Sequence, residues 1–199
     1  MITLIPSVLD PATIDAARAA LGGLPNGRDM PCLQARIVAR LLANRAFLRA
    51  ALPKRIVRLE FNRYEPGMGC GPHVDEPIIA GCRTDLSFTL FLTDPTDYER
   101  GDLIVETGAG WEMRKHAAGD LVLYPSRYVH SVAPVTRGTR LAATGWIESL
   151  TPSAERREIL GDLDAALALI DASGCILDAR LRVQNARANL VRLWISGGE

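Results

Sequence analysis

The pattern of apolar and polar positions predicts helices at both ends of the chain and strands between them. Asp10 is a good N-cap, Pro11 suits the first helical position, and Ile14, Ala17 and Leu21 fall on one face. Gly22-Gly23 ends that segment. A second helix is predicted from Cys32 to Ala51, because Leu33, Ile37, Val38, Leu41 and Leu42 follow the helical period and Pro53 lies beyond its end. From about Arg55 to Glu148 the pattern changes to short strand-like runs punctuated by Gly, Pro and Asp. These runs are Ile56 to Tyr64, Asp85 to Thr93, Leu103 to Thr107, Leu121 to Tyr124, Tyr128 to Val135 and Arg140 to Ile147. Such spacing indicates an all-β sandwich or barrel, with Thr136-Arg137-Gly138-Thr139 as a tight connection. Helical pattern returns at Thr151-Pro152, an N-cap followed by Pro. Ile159, Leu160, Leu163, Leu167 and Ile170 form one apolar stripe, and Ser173-Gly174 breaks it. A last helix carries Leu177, Leu181, Leu190, Val191 and Trp194. The chain thus divides into an N-terminal helical support (1–54), a β core (55–150) and a C-terminal helical extension (151–199).

Composition narrows the partners. The chain has 199 residues, with Lys+Arg 23 and Asp+Glu 23, for a formal net charge of zero. A nucleic-acid module or a polybasic membrane binder carries a basic excess, so neither is expected. Hydrophobic residues are 48% and charged residues 23%, a globular balance that argues against disorder. No apolar run approaches the roughly 20 residues that span a bilayer. The start at Met1-Ile2-Thr3-Leu4-Ile5-Pro6 does not resemble a secretory signal. Cys32, Cys70, Cys82 and Cys175 are scattered with no C-x-x-C pair, which reads as reduced thiols in a cytoplasmic protein.

The chemistry gathers around two of the three histidines. His73 and Asp75 form His-x-Asp within Gly71-Pro72-His73-Val74-Asp75-Glu76. On a strand, residues two apart share a face, so an imidazole and a carboxylate can meet one cation. His130 follows on another predicted strand. Two His and one carboxylate make the facial triad of non-haem Fe(II) oxygenases. By itself His-x-Asp is more often a surface pair. Arg140, ten residues after His130 at the start of a strand-like run, changes the odds, since a guanidinium there can fork onto a carboxylate. Trp146, six residues further on, shares the face of Arg140 and is either a wall of a cosubstrate pocket or a core residue. His116 reads as a solvated loop histidine. Arg58, Arg63, Arg83 and Arg127 are either an anion-gathering rim or solvated strand ends. The C-terminal helices read as a structural brace or as a homodimer surface.

Several motifs occur in order. They are Phe61-Asn62-Arg63-Tyr64, His73-Val74-Asp75, the run Arg83 to Leu92, Gly119 to Pro125, His130 to Pro134, and Val135 through Arg140 to Trp146-Ile147. In these the chain resembles the PKHD-type hydroxylases, of the prolyl-4-hydroxylase-like group of Fe(II)/2-oxoglutarate dioxygenases. The resemblance is dense over about 55–150 and looser on the flanks. It implies a mainly β fold with flanking helices, whose core is a double-stranded β-helix of jelly-roll or cupin type. It makes His73, Asp75 and His130 the iron ligands and Arg140 the partner of the distal carboxylate of 2-oxoglutarate. The implied cofactors are Fe(II), 2-oxoglutarate and O2, with ascorbate as reductant. The implied reaction hydroxylates an unactivated C–H bond of a small-molecule or amino-acid-derived substrate, with release of succinate and CO2. Related halogenases lack the carboxylate, so the presence of Asp75 favours hydroxylation.

The chain departs from that pattern in three places. Many relatives carry a Tyr three residues before the first iron ligand, where its hydroxyl bonds 2-oxoglutarate. Here that residue is Cys70, so either Tyr64 or Tyr124 takes the role or the cosubstrate has one bond fewer. Arg100-Gly101 stands where a doubled glycine is common, and the stretch between the first helix and Arg55 is shorter. Two other readings use the same residues: a zinc metallohydrolase, in which Arg140 has no task, and a catalytically silent cupin-like binding module.

Overall fold

The computed structural model describes residues 2–22, 30–174 and 177–196; Gly23 and Cys175 lie outside them. In chain order the elements are β1 (Thr3–Ile5), α1 (Pro11–Leu21), α2 (Pro31–Ala43), α3 (Arg45–Ala51), β2 (Pro53–Tyr64), β3 (Cys70–His73), β4 (Ile78–Ile79), β5 (Cys82–Arg83), β6 (Leu86–Phe91) and β7 (Tyr98–Arg100). There follow β8 (Leu103–Thr107), β9 (Gly110–Arg114), β10 (Leu121–Pro125), β11 (His130–Val132), β12 (Val135–Gly138), β13 (Arg140–Ser149), α4 (Ala154–Ser173) and α5 (Leu177–Ser196). Asp10 caps α1 by accepting from the Thr13 backbone N–H at 2.8 Å.

Local chemistry moves three predicted boundaries. The single helix predicted from Cys32 to Ala51 is two helices. Asn44 adopts an extended backbone, and its side chain accepts from the Phe47 N–H at 3.0 Å, which starts α3. The cap of α4 is Ser153, which accepts from the Arg156 N–H at 3.1 Å. Thr151 and Pro152 instead offer their carbonyls to the buried Arg157 guanidinium. The run Tyr128 to Val135 divides, with β11 and β12 joining different ladders. Most of the predicted connection at Thr136 is therefore strand. β12 ends at Gly138, at φ +76, where a Cβ would collide with the Asp97 carbonyl, and Thr139 alone separates it from β13.

Five strands form one sheet in the order β1-β10-β6-β13-β2, and four form a second in the order β3-β11-β8-β9. The short ladders β12-β7 and β4-β5 flank them. All pairs are antiparallel. This is the jelly-roll core that the resemblance implied, open rather than closed into a barrel.

Strand alternation gives the five-stranded sheet two different faces. Leu59, Phe61, Leu86, Phe88, Leu90, Leu121, Leu123, Leu141, Ala143 and Ile147 join Ile14, Ala17, Leu21, Ile37, Leu41, Phe47 and Ala51 of the helices in the main core. Phe47 meets Phe88 edge to face, with centroids 6.3 Å apart. The opposite face carries Asn62, Tyr64, Ser87, Thr89, Tyr124, Thr144 and Trp146, and it looks into a cavity. Gly145 lets the two faces coexist. A Cβ there would strike the Phe88 ring and lie 2.9 Å from the Arg58 carbonyl. Overpacking of this kind costs about 1–3 kcal/mol, so Gly145→Ala is expected to lower the thermal unfolding midpoint by several degrees, as read by circular dichroism.

The C-terminal helices pair with each other through Arg187 and Asp164, whose Nε and Oδ1 are 2.8 Å apart. Leu160 of α4 is buried, while no described residue of α5 is. Among the described residues no helix is long and apolar enough to cross a membrane.

Candidate functional site

The register of two short strands creates the centre of the site. In the β3–β11 pair, His130 lies directly opposite His73. Residues opposite each other in an antiparallel pair are close neighbours, and the two imidazole centroids are 4.3 Å apart. Asp75 is not on a strand, since β3 ends at His73. The chain leaves the sheet after His73 and brings the carboxylate back toward both rings. Asp75 Oδ1 is 3.8 Å from His73 Nε2 and 3.7 Å from His130 Nε2. The ligand-type atoms of the three residues lie within 4.8 Å of one another.

Neighbouring groups fix which atoms face inward. His73 Nδ1 is 2.9 Å from the Gly71 carbonyl, and His130 Nδ1 is 3.0 Å from the Tyr128 carbonyl. A carbonyl only accepts, so each Nδ1 carries the proton and each Nε2 presents a lone pair to the other two residues. Burial, the largest influence on His130, pushes its pKa below the usual imidazole value and favours the neutral ring that binds a cation. The Ser87 hydroxyl donates to Asp75 Oδ2 and lies 2.7 Å from the Ser126 hydroxyl. That bond holds the carboxylate with Oδ1 toward the imidazoles.

A cavity of about 200 Å³ surrounds the three residues. Glu60, Asn62, Tyr64, Cys70, Leu103, Tyr124, Thr144 and Trp146 are among the side chains that line it. Tyr64, Tyr124 and Trp146 are thus all on its walls. Burial raises the pKa of both Tyr64 and Tyr124, so both phenols stay protonated and able to donate. Arg140 is a different case. It is 1% exposed and lies behind the wall rather than on it, with its guanidinium carbon 5.1 Å from the centre of the Tyr64 ring and 5.5 Å from that of Phe91. Its Nε and Nη2, and the hydroxyl of neighbouring Tyr98, are buried without a partner of hydrogen-bond geometry. Burial lowers the Arg140 pKa, while the phenols of Tyr98 and Tyr64 oppose that shift.

The other candidates of the sequence have other work. His116 is half-buried against the edge of Phe91 rather than solvated, and burial lowers its pKa. Arg63 binds Glu65 and the carbonyls of Leu21 and Gly22, and Arg83 binds Asp85 and Glu148. Arg127 stacks over Tyr128. Sequence reasoning missed Ser87, Ser126, Thr89, Glu60 and Thr144. One signal was available: the run Leu86-Ser87-Phe88-Thr89-Leu90 alternates apolar and hydroxyl residues inside a wholly buried strand.

Comparison with known proteins agrees with this geometry. A family model of the 2OG-Fe(II) oxygenase superfamily matches residues 59–148. A PKHD-type hydroxylase of Maricaulis maris is 42% identical over 174 residues, spanning 86% of this chain and 78% of that protein. Another from Parvibaculum lavamentivorans is 47% identical over 157 residues, spanning 78% of this chain and 70% of that one. The crystal structure of a Pseudomonas putida prolyl-4-hydroxylase superposes with a TM-score of 0.56 at 20% identity, over 74% of this chain and 92% of that one, a likeness of fold. The chain belongs to the PKHD-type hydroxylases of the 2OG-Fe(II) oxygenase superfamily. It is accordingly an oxygenase, and Fe(II) and 2-oxoglutarate are the cofactors its family implies.

Proposed function

We propose that the protein hydroxylates an unactivated C–H bond of a small-molecule or amino-acid-derived substrate, converting 2-oxoglutarate to succinate and CO2. His73, Asp75 and His130 hold the iron, and Arg140 takes the distal carboxylate of 2-oxoglutarate. One observation carries this reading: three convergent ligand atoms face a cavity whose wall residue Tyr64 packs on a buried guanidinium, two of whose nitrogens lack a partner of hydrogen-bond geometry among the described residues. Neither a zinc hydrolase nor a silent binding module gives those nitrogens a task. Iron, with 2-oxoglutarate and O2, supplies the oxidising power that replaces C–H by C–OH.

The protein's own groups then have definite roles. The Gly71 and Tyr128 carbonyls hold the imidazole tautomers, and Ser87 holds Asp75. Asp75 fills a ligand position that halide takes in halogenases. The ring of Tyr64 packs on the guanidinium of Arg140, and its hydroxyl takes the place of the family tyrosine that Cys70 replaces. Leu103 and Val132 keep the cavity wall apolar and limit water. The catalytic core is the β region of about 55–150, with β1 and the start of β2 at Pro53 added to its main sheet, braced by α1 to α3 and by α4.

Anaerobic loading with Fe(II), followed by 2-oxoglutarate, ascorbate and O2, is expected to give succinate even without a substrate. Absence of both succinate and 2-oxoglutarate binding would exclude this function.

A further inference from the structure

A second, larger depression shares one wall residue with the catalytic cavity. A groove of about 710 Å³ runs along β2 beside α2 and the β4–β5 turn, with Arg58, Ile56, Leu59 and Ile79 among its walls. Glu60 lines both the groove and the cavity, and no other described residue does. A ligand that reached from the groove toward the His-Asp-His centre would lie beside this carboxylate.

Charge at the junction is sparse and paired. Among the described residues, and apart from Asp75 and the two histidines, Glu60 is the one ionisable acid or base on the cavity wall besides the phenols and thiol of Tyr64, Tyr124 and Cys70. In the groove the charged residues are Arg58 and Glu60. Arg58 Nη2 lies 2.5 Å from Glu60 Oε1, and their side chains are 59% and 28% exposed. An ion pair so open to water is held weakly and can be shared with an incoming ligand. Beyond it, Asn62, Thr144 and Trp146 offer the cavity no charge, although Trp146 Nε1 is a buried donor without a partner among the described residues.

We infer, on the reading proposed above, that the substrate is a free α-amino acid held by its head group at this junction. Its ammonium docks on Glu60 and its carboxylate on Arg58, since an α-amino acid carries its two charges as close together as this pair does. The side chain passes into the cavity toward the iron. It is uncharged, because nothing on the uncharged wall balances an ion. An interior peptide residue offers neither head-group charge, and an acidic side chain meets repulsion at Glu60.

Calorimetric titration of the anaerobic enzyme loaded with Mn(II) and 2-oxoglutarate tests this. The probes are free L-leucine, L-proline and L-phenylalanine, their N-acetyl and carboxamide derivatives, and a tripeptide with leucine at its centre. At least one free amino acid is expected to bind, with its two derivatives about tenfold or more weaker and the tripeptide silent. Glu60→Gln is expected to abolish the preference for the free amine, and Arg58→Gln the preference for the free carboxylate. Thermal unfolding of each variant checks that it is folded. Equal binding of free and capped probes, binding of the tripeptide alone, or no binding of any free amino acid at millimolar concentration would overturn the inference. Binding of 2-oxoglutarate itself, measured first, separates that failure from failure of the oxygenase function.

Discussion

Replacing His130 by alanine is expected to abolish both metal binding and turnover while leaving a folded protein. His130 is 5% exposed, and its Nε2 is aimed at Asp75 Oδ1 from 3.7 Å. The Tyr128 carbonyl holds its ring at Nδ1. Alanine offers no donor atom, and no water in the vacated space reproduces an imidazole held in that orientation. Two ligands then remain, His73 and Asp75, one of them the half-exposed imidazole of a strand end. His73→Ala is expected to behave alike, because the two imidazoles face each other across one ladder. The measurement is anaerobic titration with Co(II), followed by its visible absorption, alongside succinate formation. Full metal affinity in either variant would mean that the cation sits elsewhere.

Arg140→Met is expected to remove 2-oxoglutarate binding without destabilising the ligand-free protein. In the free protein the guanidinium is buried, its Nε and Nη2 lack partners, and burial already works against its charge. An unpaired buried charge is a cost that an uncharged thioether avoids. The stacking of Arg140 on Tyr64 and Phe91 offsets part of that cost. The balance reverses when a carboxylate arrives and meets two preset donors. Losing one partner of a buried charge pair costs about 2–5 kcal/mol, roughly thirtyfold to a few thousandfold in affinity. Two thermal scans of each protein, with and without 2-oxoglutarate, read both halves. The variant is expected to unfold no earlier than the parent when free, and to show little of the rise that the cosubstrate gives the parent. An unchanged rise would remove Arg140 from this role.

The legible part of the fold was local. Asp10 with Pro11 marked a helix start, and Leu103 to Thr107 alternated as a strand and is one. Arg140 and Trp146 stood an even number of residues apart on β13, and they share its inner side with Ala142 and Thr144. Where the sequence reading failed, a side chain was serving a neighbour that pattern does not reveal. Asn44 interrupts a continuous apolar period because its amide caps the next turn. Ser153, not Thr151, starts α4 because Thr151 gives its carbonyl to Arg157. His116 was read as solvated because Phe91, the ring it packs on, is 25 residues away in sequence and three strands intervene.

The site divides in the same way. Residue types and intervals along one chain expressed which groups the chemistry requires: two imidazoles, a carboxylate, and a guanidinium ten residues after the second imidazole. Those are properties of covalent neighbours, and they survive in any unfolded chain. The pairing of His73 with His130 across a ladder, the return of Asp75 from outside the strand, and the anchoring of its far oxygen by Ser87 are contacts between distant segments. Sheet register and burial alone produce them. The same is true of the place of Glu60 on the walls of both groove and cavity, because a cavity belongs to the packed chain and to no stretch of it.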